Sequence, residues 1–541
     1  MIGSLRPFVV PSARRMGHYL VVLGAALVSL ACSKAPELPS PVSAVKTTVA
    51  WIKPEGADLS PIFERARKAN QPVFLYWGAV WCPPCNQVKA TVFNRPDFIA
   101  LSAQFLPVYL DGDTLGAQKL GAQFKVRGYP TMILFRPDGT ELTRLPGEVV
   151  ADQYLEVLTL ALTASGSVKE YLATALGGHP DQLPVQAWRQ LAYYAWEQDQ
   201  AQLVPAAERG DTLRRLAAAC PADQPDVASR MALRAIIVSA LDQVALAQPE
   251  RDLLRTREML RQTNAVRGNL DLLLNYSAEL VSALTKAGSQ ERSDLKLALT
   301  TWLNQFADDA SLSATERLTA LQAKLALAKM DFPEGTGFRP DAALQAQILA
   351  ATARESRATV SQIERQTVIP SAADLLSQAG LLEQSDAMLL AELPVALSPY
   401  YHMLVLAGNA KTRGNKLDSL QWSEKAWGEA KGPATRLQWG SAYVNRLIEL
   451  TPADVARIEK TATAILAELD AVPETFYERN RIRLEKMGRA LMAWETKGPR
   501  RSVVAKLRGQ LDAVCQKLPQ GDEARIACLG VFIASHQGSK T

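Results

Sequence analysis

The sequence predicts a small α/β domain over residues 50–164, followed by a much larger all-α region over residues 165–541. Three observations carry this reading. Short apolar runs alternate with helically spaced segments up to about residue 164, strand signals almost vanish from about residue 166, and a six-residue pattern recurs 34 residues apart.

The α/β part can be justified element by element. Ser60-Pro61 reads as an N-cap with proline at the first helical position, and Ile62, Phe63 and Ala66 give that helix its buried face. Val73-Phe74-Leu75-Tyr76-Trp77 is a buried strand. Trp81-Cys82-Pro83-Pro84-Cys85 then opens a helix through Val88, Thr91 and Val92. A second strand runs from Phe105 to Leu110 and ends in Asp111-Gly112-Asp113. A helix from Leu115 to Phe124 leads to Tyr129-Pro130-Thr131, then a strand, Met132 to Phe135. Pro137-Asp138-Gly139 is a hairpin turn, Glu141 to Leu145 the returning strand, and residues 151–163 a closing helix.

The two cysteines at the strand-to-helix junction suit reversible dithiol–disulfide chemistry. A thiolate at a helix N-terminus is favoured by the dipole, and a second sulfur one turn on can resolve a mixed disulfide. With Cys82 as N-cap, the two prolines occupy the first turn, where their missing N–H groups cost little. They also cannot donate to the Cys82 sulfur, which leaves the N–H groups of Cys85 and Asn86. A moderately depressed Cys82 pKa follows, and with it a lean towards a reductant. Half a zinc site is disfavoured, because the chain has only four histidines (His18, His179, His402, His536) and no second CxxC. An inert staple closing so short a loop gains little chain entropy.

The order βαβ, hairpin, helix, with Trp-Cys-x-x-Cys after the first central strand and Gly128-Tyr129-Pro130-Thr131 before the hairpin, resembles the thioredoxin family over about a fifth of the chain. Asn94-Arg95-Pro96-Asp97-Phe98 leading into residues 105–111 is similar to the periplasmic branch of that family. The resemblance implies Cys82 as nucleophile, Cys85 as resolving cysteine and Pro130 as a cis-proline facing the pair. Tyr129 would offer its backbone to an extended substrate segment, with Trp81 beside the sulfurs. One departure stands out: Tyr76 occupies the position where many thioredoxins carry a buried carboxylate that serves the second cysteine. Lys89, read as a solvated helix-face lysine, is the nearest charged alternative. The proton path therefore stays open.

The N-terminus resembles a lipoprotein export signal. Arg14-Arg15 precede an apolar run from Tyr19 to Leu30 that is too short to span a bilayer comfortably, and Ser29-Leu30-Ala31-Cys32 reads as a lipobox with an unusual serine. This predicts a signal peptide over residues 1–31, lipidation at Cys32, and a proline-containing tether over residues 32–49. A soluble secretory signal is the alternative. Ser33 after the cysteine points to the outer membrane of a Gram-negative cell. Cleavage removes Arg6, Arg14 and Arg15 and no acid, so the formal charge of +5 falls to near neutral, which gives no support for nucleic-acid binding.

Beyond residue 165, helices are expected over 185–198, 226–243, 251–263, 269–287, 293–306 and 314–328, with more to residue 534. Gly380-Leu381-Leu382-Glu383-Gln384-Ser385 recurs as Gly414-Asn415-Lys416-Leu417-Asp418-Ser419, and the second copy continues in a way similar to part of a tetratricopeptide repeat. A TPR-like solenoid offers a surface for a client protein; a helical scaffold without a ligand is the alternative. Cys515 and Cys528 flank a break between two short helices and suit a structural disulfide, with a second redox pair as the alternative, while Cys220 is left as a buried helix-face thiol.

These expectations combine into a lipid-anchored, periplasm-facing thiol–disulfide oxidoreductase acting on protein disulfides. No flavin or nicotinamide fingerprint or metal site is expected, so electrons would come from a membrane thiol reductant. An adaptor that uses the α/β domain only for docking, or a net oxidase or isomerase, is the competing reading.

Overall fold

The computed structural model describes residues 48–145, 147, 150–197, 203–333, 337–495 and 498–533, so the expected signal segment and Cys32 lie outside the described residues. Within them, four strands form one mixed sheet: β1 (Val73–Gly78), β2 (Leu106–Asp111), β3 (Thr131–Phe135) and β4 (Glu141–Leu145), in the order β2-β1-β3-β4. β1 pairs parallel with β2, Val73 opposite Leu106, and antiparallel with β3, Tyr76 opposite Met132. β3 and β4 form the hairpin, with a register shift at Leu134/Phe135. Every residue of β1 is buried, which is why it reads as an unbroken apolar run.

The helices of this part are α1 (Ser60–Ala69), α2 (Pro83–Val88), α3 (Pro96–Leu101), α4 (Leu115–Gln123) and α5 (Ala151–Leu162), and a π turn over Lys89–Phe93 extends α2. Ser60 is the first helical residue rather than the cap. Its N–H donates to Asp58 Oδ1 at 2.8 Å, so the neighbouring carboxylate takes the capping role.

The sheet separates two apolar cores. On one face Leu75, Trp77, Val108 and Ile133 pack with Ile62 of α1 and Leu120 of α4. On the other, Phe74, Tyr76, Met132 and Leu134 pack with Val88 and with Leu158 of α5. This second core does not stop at residue 164. It runs on through Trp188, Leu191, Trp196, Leu213 and Val238 of the following helices.

Among the described residues no strand follows Leu145, and the chain continues as helices to Gly530. The α/β-then-all-α organisation is the one the sequence predicts. Two details differ. The helix expected over 185–198 ends at Tyr193, because Trp196 turns into the core and donates its indole N–H to the Leu191 carbonyl at 2.7 Å. The helix Leu270–Leu284 bends at Tyr276, whose φ of −132° is non-helical.

The 34-residue recurrence is structural. Gln362–Gln378 pairs with Leu382–Glu392, and Pro399–Thr412 with Lys416–Glu429. Gly380 and Gly414 both sit at φ +77°, the left-handed conformation that ends the first helix of each pair. Ser385 and Ser419 are fully buried, and each hydroxyl donates to a carbonyl twelve residues earlier: Ala373 at 2.9 Å and Ala407 at 2.8 Å. A small side chain there lets the paired backbones approach. Two further cores hold the remaining helices together. No helix among the described residues is long and apolar enough to cross a membrane.

Candidate active site

β1 delivers the chain to Trp81, and α2 begins immediately after Cys82. Cys82 is the N-cap, in extended conformation, with both prolines in the first turn. The Cys85 N–H donates to Cys82 Sγ at 3.2 Å, while the Asn86 N–H is used on the Cys82 carbonyl at 3.1 Å. Of the two amide donors left by the prolines, only one therefore reaches the sulfur. The Asn86 side chain donates to the Val80 carbonyl at 2.8 Å and pins the approach loop. Cys82 and Cys85 form a disulfide, with Cα atoms 5.3 Å apart.

Tyr129 and Pro130 lie against this pair. Their peptide bond is cis, and the Tyr129 carbonyl oxygen is 3.6 Å from Cys82 Sγ. The Tyr129 hydroxyl donates to the Gly112 carbonyl at 3.2 Å and accepts from Gln118 Nε2 at 3.0 Å. Gly112 is required here, since a Cβ would overlap the Tyr129 ring.

Beneath the pair, the Tyr76 hydroxyl donates to the Cys85 carbonyl at 3.4 Å, and burial first, then neighbouring Tyr109, raises its pKa well above the ordinary range. It is no base at neutral pH. Lys89 is not on a solvated face: its ammonium sits 5.4 Å from the centre of the Tyr109 ring, and burial lowers its pKa, with Asp111 opposing.

The sequence did not point to what lies over the cysteines. Cys82 is 3% exposed and Trp81 6%. They share one apolar cluster with Tyr400, Met403, Ala426 and Trp439 of the helical region. Trp81 meets Trp439 edge to face, ring centres 5.2 Å apart, and lies parallel to Tyr401 at 6.4 Å. The Arg479 guanidinium sits 5.2 Å from the Trp81 ring and 5.0 Å from that of Tyr129. Asp113, at the C-terminal end of β2, accepts from Trp81 Nε1 at 3.0 Å with one oxygen and from the Thr435 hydroxyl with the other. Burial pushes its pKa up to about 6, against the pull of those two hydrogen bonds. The only advance signals were Asp111-Gly112-Asp113 after a strand and an unusual density of aromatics between residues 400 and 439.

Cys515 and Cys528 are bonded to each other, both buried, with Cα atoms 5.6 Å apart. They tie the helices Pro499–Cys515 and Glu523–Gly530 within the C-terminal core. Cys220 is half-buried at a helix end rather than fully enclosed, and burial pushes its pKa up to about 11.

The four-stranded sheet, the cysteine pair opening α2 and the cis-proline loop facing it define a thioredoxin-like domain. Residues 60–162 match the family model described as a thioredoxin-like domain. The thiol:disulfide interchange protein DsbD of Pseudomonas fluorescens is 33% identical over 104 residues, and DsbD 2 of Pseudomonas aeruginosa 31% identical over 103. Each match covers 18% of this chain and 18% of the relative, so the chain spans about a fifth of the length of the curated relatives it matches. A solved structure of a DsbH oxidoreductase is 17% identical, with a TM-score of 0.18, covering 24% of this chain and 94% of that one.

Proposed function

We propose that this protein is a periplasm-facing thiol–disulfide oxidoreductase, held to a membrane through Cys32 and working in the reductive direction. The observation that carries the reading is the Cys82–Cys85 pair at the start of α2, with the Tyr129 carbonyl 3.6 Å from Cys82 Sγ. In the reduced protein the Cys82 thiolate attacks one sulfur of a substrate disulfide, forming a mixed disulfide and releasing the other as a thiolate. Cys85, as thiolate, then attacks Cys82 Sγ, releases the reduced substrate and leaves the Cys82–Cys85 disulfide. An external dithiol returns two electrons and two protons to the pair; a membrane thiol reductant suits this role. Tyr129 would hold the substrate strand through its backbone.

The direction rests on donors. With Pro83 and Pro84 unable to donate and the Asn86 amide engaged elsewhere, the Cys82 thiolate has one nearby amide to stabilise it. A poorly stabilised thiolate makes the dithiol the better reductant. The relatives' names, thiol:disulfide interchange proteins, are consistent with the chemistry. Replacing Cys85 with Ala should trap substrates on Cys82 as adducts released by dithiothreitol, and absence of such adducts in a periplasmic extract sinks the exchange reading. A low reduction potential for the couple supports reductase, a high one oxidase.

A second reading is favoured by the burial of Cys82: an adaptor whose thioredoxin-like part only docks its own helical region, which in turn binds a client. The two separate on Cys82→Ser, which abolishes a reductase and leaves an adaptor working.

A further inference from the structure

A mixed disulfide needs a third sulfur in line with the Cys82–Cys85 bond and room for the chain that carries it. Here that room is filled. Cys82 is 3% exposed, and the space beside Trp81 and Tyr129 is taken by Tyr400, Tyr401, Trp439 and Arg479 of the same chain. In this arrangement a protein disulfide cannot reach the nucleophile.

The contact that closes the site has an unusual centre. Asp113 is a largely buried carboxylate joined by two hydrogen bonds to neutral groups, one on each side of the seam: Trp81 Nε1 beside the nucleophile and the Thr435 hydroxyl on the helix Pro433–Leu450. Among the described residues no cation lies within ion-pair distance of it; Arg479 acts on it only at longer range, across the aromatic rings. Arg479 is itself largely buried, and burial lowers its pKa. Both charges would be better hydrated if the seam opened, so the closed state carries a desolvation cost that opening relieves. Gly432, at φ +83°, brings the start of the same helix against Asp113, where a Cβ would come within 3.0 Å of the Asp113 Cβ. The closure is therefore a fitted contact that opposes its own permanence.

We propose that Asp113 is the latch of a reversible cover: the helices carrying Tyr400, Trp439 and Arg479 shut the redox pair, and a protein disulfide gains access only when the Asp113–Thr435 link breaks. The access step rests on the exchange reading above; the latch itself does not. Asp113 acts here as a positioning residue, through Trp81.

The test reads accessibility rather than turnover. In the reduced full-length protein, alkylation at Cys82 is followed by mass spectrometry with iodoacetamide and with a maleimide carried on a polyethylene glycol chain. In the wild type the bulky reagent is strongly disfavoured relative to the small one. Thr435→Val, which removes only the cover-side hydroxyl, should raise the bulky-to-small rate ratio about tenfold, as should Asp113→Ala. A general structural defect would also relax the size discrimination, so the comparison counts only for variants that keep the wild-type near-ultraviolet circular dichroism and melting transition. Trp439→Leu, which thins the cover without touching the latch, supplies a second variant should Asp113→Ala lose its near-ultraviolet circular dichroism. An unchanged ratio in Thr435→Val and Trp439→Leu, or equal access of both reagents to the wild type, overturns the latch. If the ratio responds but Cys85→Ala traps nothing even with Thr435→Val added, the latch stands and the exchange reading falls.

Discussion

Two of the seams between the thioredoxin-like domain and the helical region are of opposite character. Behind α5, Phe74, Tyr76 and Leu158 run without a break into Trp188, Leu191 and Trp196, in one apolar core. At the redox pair, aromatic contacts are interrupted by a carboxylate, a hydroxyl and a guanidinium. Apolar burial is non-directional and has no competing partner in water, whereas each polar group at the second seam can exchange its protein partner for solvent at little net loss. The first seam is built to stay shut and the second to part.

The largest effect should fall on the first seam. Trp188→Ala removes a fully buried indole from the shared core and should lower global stability by about 3–5 kcal/mol in urea unfolding. Thr435→Val at the second seam should cost only about 1 kcal/mol while changing access to Cys82. If Thr435→Val proves the more destabilising, the contrast between the seams is wrong.

The two disulfides sharpen the same contrast. Cys515 and Cys528 are 13 residues apart, so Cys515→Ser should cost about 3 kcal/mol and lower the melting temperature without altering the Cys82–Cys85 potential. Cys82→Ser opens a ring between residues only 3 apart in sequence and should leave the melting temperature nearly unmoved while abolishing exchange. A melting-temperature loss that is larger for Cys82→Ser than for Cys515→Ser reverses the assignment of one bond to chemistry and the other to structure.

The smallest expected effect is in pH. Asp113 goes from an ordinary 3.8 to about 6 when buried, so between those values the closed state holds a proton that the open state lacks. Closure tightens as pH falls through that window, and the burial cost is fully present above about 6. The groups acting on it are Asp111, which raises its pKa, and Thr435, Trp81 and Arg479, which lower it. His402, on the cover helix Pro399–Thr412, has the opposite sign. Burial lowers it from 6.5 to about 4, with Glu392 opposing, so its contribution to stability is lost as pH falls from 6.5 towards 4. The bulky-to-small alkylation ratio should therefore fall on acidification from pH 6.5 to 4.5, and Asp113→Asn should flatten it. In urea unfolding, His402→Gln should remove part of the acid loss. A ratio that stays pH-dependent in Asp113→Asn assigns the effect elsewhere.

What was legible in the sequence was local. The central strand β1 showed as an apolar run because both its faces are buried, β4 only as the return from a Pro-Asp-Gly turn, and Cys82-Pro83-Pro84-Cys85 placed a helix start where chemistry needs one. The Gly380/Gly414 and Ser385/Ser419 pairs showed because a repeated close approach demands the same small residues at a fixed spacing. Asp113 and Arg479 were not legible. Asp113 resembles any polar residue after a strand, and its partner Thr435 lies 322 residues further on. Only the winding of the intervening helices brings them together, and no local periodicity encodes that.

That separation has a consequence in time. A contact spanning 322 residues can form only after the helices between have found their places. A chain made or exported from its N-terminus presents Trp81, Cys82 and Tyr129 well before residues 400–439 exist to meet them. Each molecule thus passes through a youth in which its cysteines are bare, and acquires its guard only on completion.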